Sequence, residues 1–389
     1  MSKLEELINE LCPDGVDYKE LQEVFTLRNG YTPSKDNPEF WENGTVPWFR
    51  MEDIRQNGRI LGDSIQHVTQ RAVKGNLFPA DSIILATSAT IGEHALLTVT
   101  ALANQRFTFL TRKEPYLNSL YMKYFYYHCD ILDEWCKQNV TLGNFNSVDM
   151  GKLKKYKFPL PPLPVQHEIV RILDNFTLLT AELTAELTAE LTARKKQYEY
   201  YRDFLFDFSD DVPRVKLVDI TDISRGVRVV KKQLIPNGKY PVYQNCLTAM
   251  GYYDKHNCDA DTTYVISAGA AGEIGFCDKD FWAADDCLIF SNLNGVINKY
   301  IYYFLTTKQD FIRSNVRRAS IPRLSRRVIE NLQIPFVSLE EQERIVAILD
   351  RFDALCNDLT SGLPAEIEAR RKQYEYYRDR ILTFKEKVA

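Results

Sequence analysis

A duplication constrains this chain more than any other feature. Residues 159–203 and 335–379 align without a gap at a constant offset of 176, and 25 of the 45 paired positions are identical. A repeat of this quality dictates two copies of one structural unit. In the first copy Ile169, Ile172, Leu173, Phe176, Leu179, Leu183 and Leu187 recur at three- and four-residue spacing. Ile345, Ile348, Leu349, Phe352, Leu355, Leu359 and Leu363 do the same in the second. That period draws one apolar stripe along a helix. It predicts a helix over 166–206, roughly 60 Å long at 1.5 Å per residue. Pro161, Pro162 and Pro164 are expected outside it, marking its start. Such a stripe needs a cover, and the other copy is the nearest candidate.

The two copies differ at their centres. The first runs Leu-Thr-Ala-Glu three times over between Leu179 and Ala193. Ala, Glu and Leu are strong helix formers, so each four-residue unit lengthens a helix by about 6 Å without breaking it. The run reads as a spacer, with replication slippage of no consequence as the alternative. The second copy has Ser361-Gly362-Leu363-Pro364 there. Pro within a helix costs about 3 kcal/mol and Gly adds to it. A break is predicted near Gly362, with the helix restarting at Pro364.

The rest of the chain is two less similar segments with recurring landmarks. Leu21, Val24 and Gly30 match Leu217, Ile220 and Gly226, and the run 82–97 resembles 263–277. Residues 120–125 are aligned with 299–304, and 140–161 with 317–337. Short β-like runs between Gly, Pro and Asn turns are expected at 83–87, 107–110, 264–267 and 288–290. Short helices are expected around 117–137 and 297–314. The predicted class is α+β: globular segments at 1–157 and 209–333, and helical spacers at 158–208 and 334–389. Two similar but divergent readers on a helical bar suit a two-part, asymmetric target, and duplex DNA is the natural one.

Composition narrows the chemistry. The 49 basic and 53 acidic residues leave a net charge of −4, which argues against whole-surface binding to nucleic acid but not against local basic patches. The 8 cysteines and 5 histidines are dispersed without metal-ligand spacing. Buried free thiols in a reducing compartment are the expectation, with no metal. No run approaches the ~20 apolar residues of a membrane span, and the first ten residues lack a signal-peptide core. A cytoplasmic location follows. There is no Asn/Asp-Pro-Pro-Tyr/Phe loop for a flipped adenine and no GxxxxGK[ST] for nucleotide hydrolysis. The glycines of 269–275 precede neither a basic residue nor a helix, so they read as a tight turn. No catalytic residue is assigned.

Polar side chains able to read bases or hold phosphates are the remaining candidates. In the first segment these are Arg28, Thr32, Ser34, Lys35, Arg50, Arg71 and Lys74. In the second they are Arg225, Arg228, Lys231, Lys232, Gln244 and Asn245, with a basic cluster of Arg313, Arg317, Arg318 and Arg323. Each is otherwise a solvated surface group. Residues 194–203 and 370–379 are the least diverged part of the duplication. Their Tyr198, Tyr201, Tyr374 and Tyr377 either fill a seam between helices or present two equal docking surfaces.

The pattern Gln-x-x-Ile-Val-x-Ile-Leu-Asp-x-Phe followed by Arg-Lys/Arg-Lys-Gln-Tyr-Glu-Tyr-Tyr-Arg-Asp, present twice, resembles the specificity (S) subunit of type I restriction–modification systems. The Thr-Ala-Glu-Leu run resembles the subgroup with such repeats in the central spacer, and residues 30–54 are similar to the opening of one class of its target recognition domains. The resemblance covers nearly the whole chain. It implies two target recognition domains reading a bipartite double-stranded DNA site, held by two antiparallel coiled-coil-like helices in a pseudo-two-fold repeat. It also implies two methyltransferase (M) subunits and restriction (R) subunits as partners. The subunit itself would be non-catalytic and without cofactor; S-adenosylmethionine, ATP and Mg2+ would belong to the partners. The rival reading is a coiled-coil scaffold carrying two peptide-binding domains.

Overall fold

The computed structural model describes residues 2–141, 146–357 and 362–387. Five helices of ten residues or more occur among them: α1 (Met122–Gln138), α2 (Leu163–Leu205), α3 (Asn298–Thr307), α4 (Leu339–Asn357) and α5 (Leu363–Ile381). The chain forms two compact units. One is Met1–Thr184 together with Ala369–Ala389; the other is Ala185–Glu368.

The first unit is built on a five-stranded sheet. Its strands are β1 (Phe25–Asn29), β2 (Ile60–Leu61), β3 (Ser82–Ala86), β4 (His94–Leu97) and β5 (Phe107–Arg112), in the order β1-β5-β3-β4-β2. β3 is buried on both faces, and side chains alternate along a strand. Ile83 and Leu85 therefore enter one core with Phe125 and Leu132 of α1. Ile84 and Ala86 enter another with Trp48, Phe49 and Ile54. Beside that second core lies a small sheet in which Val46–Phe49 pairs antiparallel with His67–Val68 and parallel with Leu102–Ala103.

The second unit repeats the plan. β6 (Asp222–Arg225), β7 (Thr262–Ile266), β8 (Ile274–Cys277) and β9 (Cys287–Ser291) stand in the order β6-β9-β7-β8. Tyr240–Tyr243 has one antiparallel neighbour, Gly251–Tyr253, and one parallel neighbour, Trp282–Ala283. Each unit is tied at its base by a two-stranded ladder, Tyr18–Glu20 with Lys157–Pro159 and Arg214–Lys216 with Gln333–Pro335.

The 176-residue offset extends beyond the helices into hydrogen bonds. Gln166 is fully buried; its Nε2 donates to Ser119 O and Pro161 O, and its Oε1 accepts from Tyr121 N. Gln342, also fully buried, makes the same bonds to Gly295 O, Val337 O and Ile297 N. Tyr127 Oη donates to Asp174 at 2.6 Å and Tyr303 Oη to Asp350 at 2.5 Å. Lys123 and Lys299 pair with the same two carboxylates. Each long helix is thus fastened to its own domain by one glutamine and one aspartate. These bonds set Lys123-Tyr124 against Lys299-Tyr300, three residues from the alignment of 120 with 299 expected above; clustered tyrosines had offered two registers.

Three further expectations are revised. Pro164 lies inside α2 as its second residue, and Pro364 occupies the second position of α5. In a first turn the missing N–H had no helical partner to lose. The start of the stripe does not wait for the other copy. Ile169 and Leu173 sink into the core with α1, and Ile345 and Leu349 into the core with α3. Leu179, by contrast, is 60% exposed, and Leu359 lies outside the described residues. The second copy is interrupted as predicted: α4 ends at Asn357, Gly362 forms a bend, and α5 begins at Leu363.

Candidate nucleic-acid interface

Three of the seven candidate residues of the first unit converge on a turn. Gly30 follows β1 and approaches the Ala103 carbonyl so closely that a Cβ would stand 2.3 Å from its oxygen. The chain then passes over residues 104–106. Asn104 N donates to Phe49 O, Phe107 N to Asn104 O, and Thr87 N to Arg106 O. Next to this turn is the helix Met51–Asn57, positioned by Asp53. That carboxylate is fully buried and accepts from Arg50 N and Ile65 N, both at 2.6 Å.

A cleft of about 320 Å³ opens between the turn and the helix, lined by Thr32, Lys35, Arg50, Arg55, Gln105 and Arg106 among others. Four cations and one carboxylate, Glu52, face it. The Arg50 guanidinium lies 5.7 Å from the Trp48 ring, and its Nε is buried without a hydrogen-bond partner among the described residues. The Thr32 hydroxyl donates to Gln105 Oε1 at 2.5 Å. Of the predicted residues, Thr32, Lys35 and Arg50 meet here. Arg28 instead lies over the Phe78 ring at 4.6 Å. Ser34 offers its carbonyl to Trp41 Nε1, Arg71 pairs with Glu39, and the Lys74 amide donates to Tyr31 Oη. Arg55, Gln105 and Arg106 were missed by sequence reasoning. The signal was present as a polar triplet, Asn104-Gln105-Arg106, directly before a predicted strand.

The second unit makes the same turn. Gly226 N donates to Cys287 O, Ala284 N to Tyr243 O, Cys287 N to Ala284 O, and Ser267 N to Asp286 O. A Cβ on Gly226 would stand 2.2 Å from Ala283 O. Counted from these shared bonds, Gln244 occupies the place of Arg50, Arg228 that of Thr32 and Lys231 that of Lys35. Arg225, at the end of β6, is exposed, as are Arg228, Lys231 and Lys232. The Asn245 carbonyl accepts from Ala270 N, which joins it to the glycine loop. That loop opens no helix; Gly269 and Gly272 both have positive φ, the backbone of a tight turn.

The basic cluster is partly dispersed. Arg313 is held by Glu273 at 2.8 Å. Arg317 and Arg323 exchange two backbone hydrogen bonds around an exposed hairpin that also carries Arg318. Gly269 N donates to Pro322 O, which pins this hairpin to the glycine loop and, through it, to Asn245. The side chains of Arg317, Arg318 and Arg323 make no hydrogen bond or ion pair among the described residues, so the hairpin presents three uncompensated cations.

The four tyrosines are engaged within their units. Tyr374 Oη bonds Thr177 Oγ1 at 2.9 Å, and Tyr377 meets Phe176 edge-on at 6.5 Å. Tyr201 stacks on Phe352 at 5.5 Å, and Tyr198 is partly buried beside Asp353 and Tyr302. Tyr200 and Tyr376 are the most exposed aromatics of the repeated motif, at 65% and 59%, and Tyr201 and Tyr377 are exposed as well, at 38% and 41%.

All eight cysteines are free, and every one but Cys246 is buried. His94, Asp130 and Asp133 come together with metal-like composition. However, both oxygens of Asp130 are taken by Arg59 and Arg378, and His94 bonds Asp133 at 2.6 Å. His94 Nε2 and Asp133 Oδ1 are buried without a hydrogen-bond partner among the described residues. No helix among the described residues is long and apolar enough to cross a membrane.

Comparison with known proteins gives one answer. Residues 13–193 and 209–369 match the family described as type I restriction modification DNA specificity domain. The specificity subunit of the type I restriction enzyme EcoprrI from Escherichia coli is 42% identical over 377 residues, covering 92% of this chain and 93% of that protein. A putative type I specificity subunit from Mycoplasma pneumoniae is 36% identical over 58% of this chain and 93% of its own length. Among solved structures, a chain from work on complex assembly and conformational transition of the type I R-M system aligns over 95% of this chain and 98% of its own, at 14% identity and a TM-score of 0.71. With two matched specificity domains, a duplicated architecture and a close relative over nearly its whole length, the chain belongs to the type I restriction–modification specificity subunits, which are not themselves catalytic.

Proposed function

We propose that this subunit reads a split duplex DNA site, each half through one globular segment, 1–157 or 209–333. The segments 158–208 and 334–389 serve as an antiparallel helical spacer. One architecture built twice with unlike polar side chains carries this reading. Lys35, Arg50, Arg55 and Arg106 surround a cleft in one unit, while Arg225, Arg228, Lys231, Gln244 and the 317–323 hairpin serve the other. Arg pairs with guanine edges and phosphates, and Gln or Asn with adenine. Support for antiparallel helices comes from the reciprocal contacts Phe176–Tyr377 and Phe352–Tyr201, which are exchanged by the 176-residue offset.

Two copies of the motif around Tyr198 and Tyr374 fit two copies of a methyltransferase subunit, with restriction subunits joining that core. S-adenosylmethionine, ATP and Mg2+ would be used by those partners in the cytoplasm. The Thr-Ala-Glu-Leu run, which lies wholly within α2, supports membership of the repeat-bearing subgroup and a role in setting the gap. Sequencing of methylated bases in cells carrying the complex tests this. A split adenine motif is expected. Deleting Thr180–Leu183 should keep both halves and shorten the gap by one or two base pairs, since about 6 Å compares with 34–36 Å per 10–10.5 pairs. An undivided motif would defeat the reading, and an unchanged gap would defeat the spacer role.

A further inference from the structure

The turn shared by the two units reverses its polarity between them. Arg106 and Asp286 are equivalent by their backbone bonds, since Arg106 O accepts from Thr87 N and Asp286 O from Ser267 N. The residues one step earlier, Gln105 and Asp285, are therefore equivalent as well. In the first unit Thr32 occupies Gln105 Oε1, leaving Nε2 to donate, and Arg106 only donates. In the second unit both side chains are carboxylates. Asp285 Oδ1 is excluded from solvent and has no hydrogen-bond partner among the described residues. That oxygen is as closed to an incoming donor as to water, but Asp285 is partly exposed as a residue, so its other oxygen, Oδ2, is the one a donor can reach.

We infer that these two turns are base-reading elements of opposite sense. The 104–106 turn recognises an acceptor edge such as guanine O6/N7, and the 284–286 turn recognises an exocyclic amino group, cytosine N4 or adenine N6, through Asp285. This rests on the DNA-reading function proposed above. An acidic residue among Arg225, Arg228 and Lys231 repels phosphate, so it lowers general affinity and gains only where an amino group meets it. The basic neighbours hold the backbone; the carboxylate selects the base.

The test uses the full chain assembled with its methyltransferase subunit on a library of sites varied at every position. Asp285→Ala removes both acceptor oxygens. It should relax preference at one position of one half-site by about 5- to 150-fold, leaving the other half unchanged. Gln105→Asp, at an exposed position, should shift preference toward an amino-bearing base in the opposite half. Unaltered base preference in both variants overturns the inference. So does a uniform loss at all positions, which would mark a structural role. A wild-type library with no split motif would instead reject the DNA-reading function itself, so the two failures are distinguishable.

Discussion

Replacing Gln166 by Ala tests whether each long helix is fastened to its own domain. The side chain is fully buried and satisfies three backbone groups. Truncation strands the Tyr121 N–H, at a cost of about 1–3 kcal/mol, and loses a buried methylene worth about 0.8 kcal/mol. The two carbonyls lose a partner as well. The expected loss is about 2–4 kcal/mol, confined to the first unit. Hydrogen exchange resolved by peptide mass spectrometry is the assay, because two units need not unfold together. Peptides from β3 should exchange roughly 30- to 1000-fold faster, while those from β7 stay unchanged. Gln342→Ala should give the mirror result. A change below about 0.5 kcal/mol, or equal loosening of both units, would refute the clasp.

Burial drives the His128 imidazole down to about 4 from its ordinary 6.5. The folded chain then binds this proton less readily than the unfolded one, so stability is intact above pH 6.5 and falls as pH drops toward 4. The loss is about 3 kcal/mol. His128→Phe, which installs the residue found at the equivalent Phe304, should flatten that part of an acid-unfolding curve; an unchanged slope would exclude His128 as its source. Arg378→Ala removes one of two guanidinium partners from Asp130, where Arg378 is 12% exposed. It should cost about 3 kcal/mol and expose residues 369–387 to trypsin, and equal cleavage rates in variant and wild type would contradict this. Coupling between Tyr127→Phe and Asp174→Asn should be about 1 kcal/mol in a double-mutant cycle, and additivity would show that the bond is idle.

Much of this was legible in the sequence. The duplicated spacers announced themselves by identity, and the β runs at 82–86, 107–112, 262–266 and 287–291 fall where short apolar runs between turns put them. Periodicity reports that a helix face is covered and not by what, so the burial of Ile169 and Leu173 against α1 was assigned to the wrong cover. Gln166 and Gln342 open the duplicated motif, but their role as clasps could not be read from it, because only folding brings three main-chain groups to each amide. The candidate contacts comprise cations, amides and hydroxyls. They leave out Asp285 and Asp286, whose meaning appears only when the two turns are aligned through their hydrogen bonds.

The second unit is one uninterrupted stretch of chain, whereas the first takes in Ala369–Ala389 from the far end. That late piece is no ornament. Leu382 is 1% exposed within the first unit's core, Tyr18 Oη donates to Phe384 O, and Val16 exchanges backbone bonds with Lys385 and Lys387. On a ribosome the half made first therefore cannot complete its packing until residues 369–387 have been translated. The half made later can close without waiting. A premature stop just after codon 368 would for that reason injure the amino-terminal reader and spare its neighbour.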